Sequence, residues 1–203
     1  MAKRLLLATT NVKKGGEMTQ ILKAANLNVE ILTLADFPDA PEVEETGETF
    51  MENARLKAKA GIELSGLVSI SDDGGFVVDA LDGMPGVMSH RFLGIETSFE
   101  EKMRHILEQL KDFPEEKRSC RFQCAVVIAT PDGRTYECMG TCEGVVAHEI
   151  RGTYGFGYDP IFYHNELGKH MAELLPLEKH QISHRGKSLA CAIPILKEIF
   201  TQN

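Results

Sequence analysis

Apolar and polar positions along this chain switch between two periods. The first apolar run, Leu5-Leu6-Leu7-Ala8 within residues 4–9, is too short for a helix and unbroken, as in a strand covered on both faces. A polar pair, Thr10-Asn11, turns the chain. Over residues 13–25, Met18, Ile21, Leu22 and Ala25 then recur at helical spacing. Strand, tight turn and helix in that order begin an α/β protein. Gly15 and Gly16 sit at odds with this helix, because each costs about 1 kcal/mol relative to alanine in a helix interior.

An acidic, proline-containing loop (38–47) leads into Thr49-Phe50-Met51-Glu52, which fits a capping box. The Ala-, Glu-, Leu- and Lys-rich run to about residue 64 reads as its helix. Residues 68–71 predict a short strand that ends at Asp72-Asp73-Gly74-Gly75, and 76–80 predict a second strand. Residues 98–110 form an amphipathic helix pattern through Met103, Ile106, Leu107 and Leu110. Residues 121–129 carry the strongest strand signal. Pro131-Asp132-Gly133 turns them back into 135–146 as a hairpin. Near the C-terminus Ser183 is placed to cap a helix to about Phe200, with Pro194 expected to kink or break it. Helices and strands that alternate around a hairpin predict a mixed sheet flanked by helices. With no repeat, low-complexity segment or Pro/Gly/Ser linker, residues 1–203 read as a single domain without a firm internal boundary.

At 203 residues and 43% hydrophobic, the chain can bury one core or two fused lobes. A net charge of -8 argues against non-specific binding to nucleic acid, which needs a basic footprint. It leaves a small phosphate-bearing ligand open, since a few lysines, a helix N-terminus and a metal ion suffice for that. No stretch approaches the roughly 20 apolar residues of a membrane span, and the short run after Met1-Ala2-Lys3-Arg4 does not read as a secretory leader. The expectation is a cytoplasmic protein without membrane or nucleic-acid partners. Of five cysteines, four fall in Cys-x3-Cys pairs, Cys120/Cys124 and Cys138/Cys142. Residues four apart share a strand face, and zinc knuckles favour two intervening residues. All five are therefore expected to be reduced, structural thiols.

Candidate chemistry lies in five places. Asp72 and Asp73 end a strand beside two glycines. They read either as a solvated turn or as a metal-bound carboxylate next to one that orients or deprotonates water. Glu42, Glu44 and Glu45 precede the capped helix, either complementing its dipole or supplying oxygens to a magnesium ion. On that helix Asn53 and Lys57 share a face, and Lys57 is placed to reach phosphate. Thr9-Thr10-Asn11-x-x-Lys14 occupies the first strand-to-helix turn, where backbone N–H groups favour anions, but without a Walker frame. Phe156-Gly157-Tyr158-Asp159-Pro160 suits stacking on a base, and Ser183-His184-Arg185-Gly186-Lys187 gathers cations at a helix start. There is no Gly-x-Ser-x-Gly elbow and no His-Glu-x-x-His helix, so attack by water remains the best chemical reading.

Taken in order, these segments resemble the non-canonical purine NTP pyrophosphatases, the inosine/xanthosine triphosphate pyrophosphatases. The series is Thr9-x-Asn11-x-x-Lys14-x-x-Glu17, Glu44-Glu45-Thr46-Gly47-x-Thr49-Phe50-x-Glu52-Asn53-Ala54-x-x-Lys57, Asp72-Asp73, Phe156-Gly157-Tyr158-Asp159-Pro160 and Ser183-His184-Arg185-Gly186. The resemblance implies an elongated mixed β-sheet flanked by helices, two lobes around a central substrate cleft, and a homodimer. It further implies a Mg2+-dependent cut of ITP, dITP or XTP to monophosphate and pyrophosphate, cleansing the nucleotide pool. Asp73 would be the general base and a metal ligand, with Glu44, Glu45 and Asp72 on the metal side. Thr9, Thr10, Asn11, Lys14, Lys57 and Gly74 would contact the substrate around its triphosphate. Phe156, Gly157, Tyr158, Asp159, Lys179, His184 and Arg185 would hold base and sugar. Departures from the family pattern are Gly74 in place of serine, the Gly15-Gly16 pair, and His90 in place of a small residue. Two other readings stay open: a nucleotide-binding protein with impaired catalysis, and a pyrophosphatase of the septum-formation-inhibitor group acting on modified pyrimidine nucleotides.

Overall fold

Leu5, Leu6 and Leu7 are all closed to solvent, as a run apolar on both faces dictates. They belong to β1 (Arg4–Leu7), the first element of a computed structural model that describes residues 3–201. After β1 come α1 (Val12–Ala24), β2 (Glu30–Thr33), α2 (Phe50–Ser65), β3 (Val68–Val78) and α3 (Phe99–Gln109). The hairpin strands β4 (Ser119–Ala129) and β5 (Thr135–Val146) follow, then β6 (Phe162–His164), β7 (Lys169–His170), α4 (Pro176–Ile182) and α5 (His184–Thr201). The strands make an open seven-stranded sheet in the order β2-β1-β3-β4-β5-β6-β7. It is mixed: β1 pairs in parallel with β2 and β3, whereas β6 is antiparallel to β5 and β7. No helix among the described residues is long and apolar enough to cross a membrane.

The chain divides into two compact units. The first comprises the residues up to Asp73, Cys124–Gly140 and those from His184 on; the second comprises Gly74–Gln123 and Thr141–Ser183. Three of the crossings fall inside strands β3, β4 and β5, which explains why no linker marks a boundary in the sequence. In the first unit Leu5, Leu7 and Ile70 pack with Met18 and Leu22 of α1 and Leu189 and Leu196 of α5. The opposite face takes α2, whose Ala54 carbonyl accepts the Ser71 hydroxyl at 2.5 Å. The second unit has its own aromatic core, with Phe76 against Phe122 and Tyr158 and with Met103 and Ile106 of α3 alongside.

Four features differ from the sequence reading. Asp72-Asp73-Gly74-Gly75 does not break the strand, because β3 runs unbroken over eleven residues. The α5 helix continues through Pro194. Pro194 and Ala190, whose carbonyl loses its N–H partner, are both exposed, so water is at hand for the freed carbonyl. The short elements β2, β6, β7 and α4 carried too few residues to show a period. The cysteines are not all thiols: Cys138 on β5 and Cys191 on α5 form a disulfide across a Cα–Cα distance of 5.9 Å, while Cys120, Cys124 and Cys142 are buried thiols. Cys138 thus bonds to Cys191, which lies outside both Cys-x3-Cys pairs, and not to Cys142.

The glycine pair does not prevent α1 from starting early. Asn11 caps it, its Oδ1 accepting from the N–H groups of Lys13 and Lys14 at 3.1 and 3.0 Å. A Cβ on Gly15 would touch Thr9 at 3.4 Å, whereas one on Gly16 would meet nothing within 4 Å. The substitution Gly16→Ala should therefore raise the unfolding free energy by about 0.5–1 kcal/mol. Urea unfolding with an unchanged slope checks this, and an unchanged or lower midpoint contradicts it.

Candidate active site

Successive residues of a strand face opposite ways, and this separates the two aspartates of β3. Asp72 points to the side covered by α1 and α5. There the Arg185 guanidinium donates to its Oδ2 through Nε at 3.0 Å and Nη2 at 2.9 Å, while Nη1 donates to Glu17 Oε2 at 2.7 Å. Asp72 is fully buried and Arg185 is 2% exposed. Burial alone would push the Asp72 carboxyl up. Arg185, helped by Lys14 and Lys57, more than offsets this and holds it well below the usual carboxylate range. Asp72 Oδ1 has no hydrogen-bond partner. Cys124 lies 3.8 Å from Oδ2, and burial together with that carboxylate pushes its thiol up to about 12, so it is no nucleophile.

Asp73 points the other way, toward α2. Asn53 donates to its Oδ2 at 3.2 Å, and the ammonium groups of Lys57 and Lys14 lie 3.4 and 3.7 Å from its Oδ1. Lys57 also donates to Glu45 Oε1 at 2.6 Å, so the Asp73 and Glu45 carboxylates converge on one cation. Burial pushes the Asp73 carboxyl up against the pull of the two lysines, and the net shift is upward. Adjacent carboxylates are thus tuned in opposite directions: Asp72 is locked as an anion, and Asp73 is made more basic. The acidic loop presents Glu45 to this group and leaves Glu44 exposed.

In the second unit, Asp159 Oδ2 accepts the Phe156 N–H at 2.8 Å and the Lys179 ammonium at 2.7 Å. That ammonium stands 4.8 Å from the centre of the Phe156 ring. A Cβ on Gly155 would lie 2.1 Å from Asp159 Oδ2, so only glycine lets the loop fold back onto this carboxylate. Tyr158 does not face outward. It is buried, stacks on Phe76, meets Phe99 edge-on and donates its hydroxyl to the Ser89 carbonyl at 2.9 Å. Burial pushes its phenol up.

The structure therefore brings Asp73, Lys14, Lys57 and Glu45 together, and separately Phe156, Asp159 and Lys179. Thr9, Thr10 and Asn11 form the turn into α1, where Thr9 Oγ1 accepts the Asn11 N–H at 3.3 Å. His184 and Arg185 start α5, but Nε, Nη1 and Nη2 of Arg185 donate to the carboxylates of Asp72 and Glu17. Gly74 follows Asp73 as the first residue of the second unit, and Gly157 takes a positive φ of 68° beside Tyr158. Among the described residues no group of three or more His, Cys, Asp or Glu side chains forms a ready-made metal cage. Two residues gained roles that spacing did not assign: Glu17, which completes the Arg185 fork, and Asn53. The signals for the latter were its place in the motif series and the helical phase it shares with Lys57.

A family model described as the Ham1 family matches residues 5–194. The dITP/XTP pyrophosphatase of Geobacillus kaustophilus (strain HTA426) is 47% identical over 187 residues, covering 92% of this chain and 91% of that protein. The dITP/XTP pyrophosphatase of Corynebacterium efficiens is 43% identical over 206 residues, covering 98% and 100%. A solved HAM1 protein from Coxiella burnetii matches with a TM-score of 0.87 at 37% identity, covering 97% of this chain and 99% of that one.

Removing the Arg185 charge leaves Asp72 buried and unpaired. Arg185→Met should cost about 3–5 kcal/mol of stability at neutral pH. The deficit should narrow as pH falls below about 4, because the depressed Asp72 carboxyl stabilises the native chain only while the unfolded chain would also be ionised. Chemical unfolding at pH 7 and at about pH 2.5 measures both. A variant as stable as the parent at pH 7 would show that Arg185 is not a structural partner.

Proposed function

The chain belongs to the Ham1 family, and from that premise we propose that it hydrolyses non-canonical purine nucleoside triphosphates (ITP, dITP and XTP) to the monophosphate and pyrophosphate. The reading is carried by one observation: the Asp73 carboxyl is raised by burial yet flanked by the ammonium groups of Lys14 and Lys57, which suits a base set among cations. The relatives named dITP/XTP pyrophosphatase support the same substrate class. Removal of such nucleotides cleanses the pool from which nucleic acids are made.

In this mechanism Asp73 accepts a proton from water as the water oxygen bonds to the α-phosphorus. The bond from that phosphorus to the bridging oxygen of the β-phosphate breaks, and pyrophosphate leaves. Lys14 and Lys57 hold phosphate oxygens and meet the charge that grows on them. Thr9, Thr10 and Asn11 offer hydroxyl, backbone and amide donors at the α1 N-terminus. Asn11 spends its Oδ1 on the cap and keeps its amide N–H groups for phosphate. Gly74 adds no side-chain donor.

The donor set fits a hard divalent cation. Asp73 and Glu45 already share one positive charge, the Lys57 ammonium. Mg2+ commonly takes only one or two protein carboxylates and completes its shell with water and substrate phosphates. Asp73 and Glu45 would hold it, with Glu44 next to Glu45 in sequence; Asp72, expected on the metal side, instead faces away from Asp73 and is held by Arg185, so it takes no part in this site. Magnesium, when bound, supplies positive charge to the departing pyrophosphate.

Within the second unit, base recognition is assigned to Phe156, Gly157, Asp159 and Lys179, with Tyr158 supporting them from the interior; His184 and Arg185, expected to share in it, belong to the first unit. Phe156 offers a ring face. Lys179, oriented by Asp159, offers N–H groups to the 6-oxygen of hypoxanthine or xanthine. Adenine presents an amine there, which would leave the donor unpaired and cost affinity. We further assign the protein to the cytoplasm as a homodimer. The exposed side chains of Met84, Met88, Leu93 and Ile95 in the second unit supply an apolar surface suited to a second copy.

The test is product analysis with Mg2+ and ITP, dITP, XTP, GTP, dGTP, ATP and dTTP. Monophosphate plus pyrophosphate from the first three, with ATP and GTP spared, is expected. Release of orthophosphate would move the cut, a preference for pyrimidines would favour the septum-formation-inhibitor class, and no turnover would leave a binding protein. Within the same assay Asp73→Asn should lower kcat by about 10²–10⁴-fold without unfolding the chain. Turnover near that of the parent would remove Asp73 from the role of base.

A further inference from the structure

Asn53 is fully buried in the first turn of α2, and both ends of its amide are used. Its Oδ1 accepts the Gly47 N–H at 2.8 Å, which fixes the orientation of the amide and aims Nδ2 at Asp73 Oδ2, 3.2 Å away. The approach of the loop is close. A Cβ on Gly47 would lie 2.6 Å from Glu52 Cβ and 2.7 Å from Asn53 Oδ1. The next two N–H groups, of Glu48 and Thr49, are taken by Glu52 Oε2 at 2.8 and 3.1 Å. Three consecutive backbone donors are thus held by two neighbouring side chains of α2. Glu45 lies two residues before the first of them and meets Lys57, which also faces Asp73.

We infer that Asn53 is a positioning residue for the hydrolysis: one amide ties the Glu45 loop to the Asp73 carboxylate, occupying Oδ2 and presenting Oδ1 to the cations. This rests on the proposed role of Asp73. A helix-start asparagine serving the fold alone would need only the Gly47 bond, yet the second bond reaches the carboxylate assigned as base. Residues that orient a ligand or base without touching substrate govern rate through geometry, so their loss lowers turnover more than substrate affinity.

Two variants separate the two bonds. Asn53→Asp keeps the acceptor for Gly47 and the shape but removes the donor to Asp73; Asn53→Ala removes both. In folded protein each should lower kcat by about tenfold to a hundredfold, with KM changed by less than about threefold. Mn2+ binding to the free protein, followed by electron paramagnetic resonance, should weaken by about fivefold or more in Asn53→Ala. A kcat within about twofold of the parent in Asn53→Asp overturns the inference, as does a loss that appears only in KM. If Asp73→Asn proves fully active, the assignment of the base fails by itself. The Mn2+ titration then decides separately whether Asn53 joins Glu45 to Asp73, and unchanged affinity in Asn53→Ala overturns that too.

Discussion

A carboxylate and a guanidinium that have both lost their water meet where β3 passes the start of α5. Each ion alone would cost several kcal/mol to bury, so neither Asp72 nor Arg185 is tolerable in its place without the other. The pair is completed by Glu17 on α1, and one cation therefore joins a strand and two helices. Much else in the first unit follows from this. With Asp72 fixed inward, strand alternation turns Asp73 toward α2, and α5 is docked at the end where its sequence carries His184 and Arg185. The Cys138–Cys191 bond tethers the same helix to β5.

The constraint also explains how two identical side chains, adjacent in sequence, take different work. Asp72 answers to a buried guanidinium, whereas Asp73 answers to flexible ammonium groups and an amide. A rigid planar fork is suited to holding a carboxylate permanently. Ammonium groups on long stems are suited to exchanging one oxygen ligand for another as phosphates arrive and leave. The proposed hydrolysis uses the side with the exchangeable partners, and the fork on the other side holds β3 to two helices.

What could be read from sequence was whatever is local. The capping box of Thr49 and Glu52 is present as both reciprocal bonds, the 98–109 helix is capped by Ser98, and the hairpin turns at residues 131–133. The order of motifs was enough to suggest the family. What could not be read was pairing over distance. Asp72-Asp73-Gly74-Gly75 read as a break because two charges and two glycines oppose a buried strand; the partners that make it acceptable lie as far as 113 residues away. Tyr158 read as a candidate for the base, but its ring fits the cavity between Phe76 and Phe99, which no spacing reveals. Cys191, set apart from the four regularly spaced cysteines, is the one that bonds to Cys138. Glu45 separates from Glu44 only through the place of Lys57 on the next helix.

The interrupted order of the two units has a consequence for synthesis. The second unit has all of its chain once Ser183 has been made, whereas the first unit, which contains the start of the chain, still lacks α5. A ribosome adding about 5–20 residues per second would make Asp72 roughly 6–23 seconds before Arg185. During that interval β1, α1 and β3 exist without the helix that covers them. The first unit must therefore stay provisional until α5 emerges, and a ribosome that stalls before Arg185 would strand a buried charge without its partner.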